Sequence, residues 1–116
     1  MLFRSAHSLI RDRYDLFTHE CAIHAAEPCP IDIKRMMIEW LGNIIHEFYA
    51  GSEANGFVAC NSDEWLAHEG TVGKPIVGTP HICDENCKEL PTCSEGTIWF
   101  ESDVEFTYHK IGRAHV

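Results

Sequence analysis

Apolar residues near the start of the chain recur at three- and four-residue steps, at Ala6, Ile10, Tyr14, Phe17, Cys21 and Ala25. That spacing predicts a helix over residues 6–26 with one apolar face. Arg11, Asp12, Asp15 and Glu20 fall mostly off that face. The stretch Glu27-Pro28-Cys29-Pro30 ends it, because a residue preceding proline avoids the helical region. A broader stripe follows, made of Ile33, Met36, Met37, Trp40, Leu41, Ile44, Ile45 and Phe48. It predicts a second helix over 31–49, with Pro30 at its start and Gly51 as a left-handed terminator. So short a connection makes the two helices antiparallel neighbours.

After Gly51 the pattern changes. Residues 52–56 read as a polar linker and 57–60 as a short strand. Ser62-Asp63-Glu64 is a helix-start signal for one or two turns ending near Glu69. Residues 70–79 hold three glycines and a proline around Ile76-Val77, which predicts a loop with one short strand. Residues 97–101 and 104–108 are rich in strand formers and flank Ser102-Asp103, the pattern of a hairpin. The expected class is α+β. An N-terminal antiparallel helical hairpin (6–51) precedes a small irregular β-sheet with a Cys-rich loop (52–109).

The two ends stand apart from this pattern. Met1-Leu2-Phe3-Arg4-Ser5 and Lys110-Ile111-Gly112-Arg113-Ala114-His115-Val116 resemble the translation of a common sequencing adapter, read inward and outward. On that reading residues 6–109 are a window cut from a longer gene, and the scars are set aside for fold reasoning. Setting them aside removes Arg4, Lys110 and Arg113 from nine basic residues and leaves all eighteen acidic ones, so a chain of formal charge −9 becomes more acidic still. Such a surface repels phosphate and argues against direct nucleic-acid or anionic-membrane binding. No apolar run reaches the length of a membrane span. A protein partner, or the remainder of the same chain, is the expected neighbour. A hydrophobic content of 45% is enough to bury a core.

The chemistry concentrates in cysteine and histidine. Cys83, Cys87 and Cys93 lie within thirteen residues of His81, between Pro80 and Gly96. Soft sulfur donors on tight turns suit a structural zinc ion, with His81, Cys60 or His109 as fourth ligand. An even count of six cysteines also permits a disulfide-stapled extracellular or virion module. Free thiols in a cytoplasmic protein are the third reading. Zinc and free thiols both place the chain, by a small margin, in the cytoplasm.

A metalloenzyme reading draws on the predicted helical hairpin. His19, Glu20, His24, Glu39 and His46 would project between the helices as carboxylate and imidazole ligands. The Glu-to-His spacing is four rather than the three of carboxylate-bridged bundles, and a solvated polar face is the competing interpretation. There is no Gly-x-Ser-x-Gly elbow, and Pro75 after Gly70-Thr71-Val72-Gly73-Lys74 spoils a phosphate loop. The leading expectation is a non-catalytic segment of a larger protein, stabilised by zinc held by Cys83, Cys87, Cys93 and either His81 or Cys60.

Overall fold

A computed structural model describes residues 13–103. The elements in chain order are β1 (Ala22–His24), α1 (Ile31–Leu41), β2 (Ile45–Ala50), β3 (Phe57–Asn61), α2 (Ser62–Ala67), β4 (Lys74–Val77), β5 (Thr79–Cys83) and β6 (Thr97–Glu101). Strands β1 to β4 form one sheet in the order β1-β2-β3-β4, and β5 pairs with β6 in a separate antiparallel ribbon. β1 and β2 run parallel, with Ala22 opposite Ile45 and His24 opposite Glu47. Since parallel neighbours need a crossover, α1 supplies it, and β1-α1-β2 is a βαβ unit. β3 returns antiparallel to β2 through a tight turn at 51–56, and β4 closes the sheet antiparallel to β3. Pro75 lies on β4, at the edge of the four-stranded sheet, where a missing N–H does least damage.

Helix α1 follows Pro30, whose carbonyl accepts from the Lys34 N–H at 3.0 Å. It stops at Gly42, which adopts a left-handed φ of 84° and donates its N–H to the Ile38 carbonyl at 2.8 Å. An L side chain resists that conformation and glycine does not, so the helix ends at Leu41, eight residues before Tyr49. Ile33, Met37 and Ile38 pack from α1 onto Ile45 of β2, Cys60 of β3 and Trp65 of α2. Asn61 caps α2, accepting from the Glu64 N–H at 2.9 Å while the Glu64 carboxylate accepts from the Asn61 N–H at 3.2 Å. That reciprocal box satisfies two orphan donors. The fully buried Ser62 hydroxyl donates to the Ile45 carbonyl at 2.9 Å and accepts the Ile45 N–H at 3.0 Å, which pins α2 to β2.

The expected N-terminal helical hairpin is absent among the described residues. The described part of 6–26 is a run of turns ending in β1, and the second helix is shorter than its apolar stripe. Ile44, Ile45 and Phe48 fit helical spacing, yet residues 45–50 also carry the β-branched and aromatic character of a strand, and Gly42 decides between the two. Gly51 belongs to the β2–β3 turn instead of a helix end. The later expectations match better: strands occur at 57–61, 74–77 and 97–101, and a short helix begins at Ser62. β6 pairs with β5. The hairpin partner expected at 104–108, His109 and both terminal stretches lie outside the described residues.

Candidate functional site at the carboxyl ends of the parallel strands

Parallel strands joined by a crossover helix diverge where their carboxyl ends meet the outgoing loops, and ligands of open α/β sheets bind in the crevice formed there. In this chain the crevice is a cavity of about 240 Å³ lined by Ala25, Ala26, Glu27 and Pro28, which follow β1, by Glu47, Phe48 and Tyr49 of β2, and by Val72. The lining is mostly apolar, with Glu27, Glu47 and Tyr49 as the residues that carry polar side-chain groups. Ala26 holds a left-handed φ of 76° at the cavity wall. For an L-residue that costs about 1–2 kcal/mol. Strain of this kind persists where the surroundings over-determine the backbone, and it clusters at ligand sites.

Behind the cavity lies a buried ionic cluster. Lys34 of α1 is 1% exposed, donates to the Glu47 carboxylate and stands 5.0 Å from the centroid of the Trp65 ring. His24 Nε2 lies 3.4 Å from the same carboxylate, too far for a well-formed hydrogen bond, and it has no other partner. Burial holds the His24 imidazole below its ordinary range; Glu47 pulls it back up, and Lys34 adds to the lowering. The imidazole is therefore neutral at pH 7. Cys29 and Cys60 are the thiols nearest this cluster, and burial is the main cause pushing both upward. Neither is a poised nucleophile.

The residues singled out from sequence do not converge. Cys60 is buried in the core of the four-stranded sheet, whereas Cys83 ends β5 in the separate ribbon and Cys87 and Cys93 are exposed on its loop. All six thiols are free. Among the described residues no group of three or more His, Cys, Asp or Glu side chains could hold a metal ion. This overturns the zinc-stabilised loop and the helical metal site, and the free thiols overturn the disulfide-stapled module. The loop is organised by Asp84 instead, whose carboxylate accepts from the N–H groups of Asn86 at 2.8 Å and Lys88 at 2.9 Å. His81 is taken up by two carboxylates, with Nδ1 3.0 Å from Glu89 and Nε2 3.2 Å from Glu101. Those hydrogen bonds, Glu89 first, raise its pKa.

The proposed helical ligands scatter for a topological reason. His24 sits on the helix-facing side of the sheet, His46 lines a shallow depression on the other side with Ile23 and Phe48, Glu39 is on α1, and His19 and Glu20 precede β1. The residues that do line the cavity, among them Ala26, Glu27, Glu47, Tyr49 and Val72, carry no motif, and neither does Lys34 behind them. The available signal is Ala25-Ala26-Glu27-Pro28 after a three-residue strand, and that strand falls within the stretch whose apolar spacing predicts a helix.

No protein-family model matches the chain. Solved structures do. A point mutant of the amide bond synthetase McbA from Marinactinospora thermotolerans is similar over 87% of this chain, with a TM-score of 0.71 and 24% identity. The unmutated enzyme gives a TM-score of 0.69 at the same identity and coverage. The anthranilate CoA ligase AuaEII, solved in complex with anthranoyl-AMP, matches over 89% of this chain with a TM-score of 0.71 and 14% identity. At these identities the likeness is one of fold. This chain spans about a fifth of the length of each: 21% of the two synthetase chains and 20% of the CoA ligase. Among the described residues no helix is long and apolar enough to cross a membrane.

Proposed function

We propose that this chain is a segment of a larger carboxylate-activating ligase, and that its cavity forms part of the pocket for an acyl-adenylate. One observation carries the reading: the crevice at the carboxyl ends of β1 and β2 lies in a fold shared with an amide bond synthetase and with a CoA ligase solved with an acyl-AMP. In this chemistry a carboxylate oxygen attacks the α-phosphorus of ATP, pyrophosphate leaves, and an acyl-AMP mixed anhydride results. An amine or thiol then displaces AMP.

The size of the cavity supports a partial role. At about 240 Å³ it falls below the roughly 300–1,000 Å³ of complete small-molecule sites. It suits one planar ring, held between the methyl groups of Ala25 and Ala26 and the side chains of Tyr49 and Val72. Other parts of a larger chain would complete the pocket. The negative charge of the chain fits this division, because the triphosphate needs cationic partners that the described cavity wall does not supply.

A titration of the 116-residue chain with a non-hydrolysable anthranoyl-sulfamoyl adenosine, followed by amide chemical shifts, tests the reading. Saturable shifts at Ala25, Ala26, Glu27, Phe48 and Tyr49 are expected, and Val72→Trp, which fills the cavity, should abolish them. Shifts that avoid these residues, or that survive the plug, would contradict the proposal.

A further inference from the structure

We infer that Lys34 is a positioning residue for the cavity: through Glu47 and His24 it fixes the exit of β1 against β2. The functional meaning of this inference rests on the ligase reading, but its structural content does not. β1 is only three residues long and, among the described residues, lies at the edge of the sheet, paired with β2 alone. Three register pairs constrain its end weakly. The last pair is His24 opposite Glu47, and there the Glu47 carboxylate is gripped by Lys34 and approached by His24.

The cavity begins at the next residue, Ala25, and includes Glu47 itself with Phe48 and Tyr49. Lys34 also stands over Trp65 of α2, so the ammonium ties α1, α2 and β2 to one point, with His24 of β1 3.4 Å from the same carboxylate. A well-packed apolar residue would serve stability as well or better, since burying two charges is expensive. A buried pair whose Glu47 lines the cavity and whose Lys34 lies behind it points to geometry as its use. Left-handed Ala26, two residues beyond His24, is the backbone feature such an anchor would hold in place.

The test compares the wild-type chain with Lys34→Met/Glu47→Leu, an apolar replacement of the pair. Amide hydrogen exchange and affinity for anthranoyl-sulfamoyl adenosine are measured on each. The expected result is at least tenfold faster exchange at Ala25, Ala26 and Glu27, with core amides of Met37 and Ile38 unchanged, and at least tenfold weaker binding. Unchanged exchange at 25–27 would overturn the inference, as would equal affinity in a chain that binds. If neither protein binds yet exchange at 25–27 accelerates, the ligase reading fails and the positioning role stands. If the double variant does not fold, Lys34→Arg and Lys34→Gln give the same decision. Arginine should keep slow exchange at 25–27 and glutamine should lose it, and identical behaviour of the two would refute the role of the charge.

Discussion

Breaking the buried ion pair from one side should be far more damaging than removing it whole. Lys34 is 1% exposed and the Glu47 side chain 11% exposed, so Lys34→Met leaves a carboxylate with little water and only the neutral His24 imidazole nearby. Removing one partner of a buried pair costs about 3–5 kcal/mol. The partial exposure of Glu47 argues for the lower end, about 3 kcal/mol, and the lost contact with Trp65 adds about 0.5–2 kcal/mol. For a unit of this size each kcal/mol lowers the melting temperature by roughly 4–8 °C, so a fall of at least about 12 °C follows. Glu47→Leu should cost a similar amount, because it strands the ammonium. The double variant should recover most of the loss, since apolar replacement of a buried pair is often neutral or stabilising. Urea melts followed by circular dichroism, with slopes checked for constancy, give the three differences. A coupling energy of about 3 kcal/mol or more is expected in the cycle. Additive single effects, with coupling below about 0.5 kcal/mol, would refute it.

Two histidines should give stability opposite pH dependences. His24 has its pKa lowered chiefly by burial, so its contribution is complete above its unfolded value near ~6.5 and declines as pH falls below it. His24→Leu should flatten that acid limb in melting temperatures recorded between pH 5 and 7. His81 has its pKa raised by Glu89 and then Glu101, so its contribution is present below ~6.5 and is lost as pH rises through the folded value. His81→Gln should remove that alkaline loss. Cys87 and Cys93 hold left-handed φ values of 60° and 68°, where an L side chain is strained. Cys87→Gly should therefore raise stability by about 0.5–1 kcal/mol, relief of strain exceeding the entropy of glycine, and a lower melting temperature would count against it.

What the sequence disclosed was mostly local chemistry. The Ser62 helix start is legible in Ser62-Asp63-Glu64, although the cap itself is Asn61 paired with Glu64, and β6 is legible because Thr97 to Glu101 is a run of strand formers. The helical hairpin failed where local spacing was ambiguous. β1 is too short to show alternation, and the Ile44–Phe48 stretch satisfies helical and strand periods together until Gly42 is recognised as a left-handed stop. The site was illegible for a different reason. Lys34 and Glu47 are thirteen residues apart and meet only because α1 crosses over the strands. Ala25 to Pro28 carry no reactive group apart from the Glu27 carboxylate. The cysteines drew the metal reading because residue type is visible in a sequence, whereas convergence is set by topology. Cys60 and Cys83 belong to different sheets.

The most direct test of the acyl-adenylate reading is a crystal structure of the chain with anthranoyl-sulfamoyl adenosine. The account predicts a planar ring of the ligand in van der Waals contact with Ala26, Tyr49 and Val72. A ligand ordered on the opposite sheet face, among Ile23, His46 and Phe57, would contradict it.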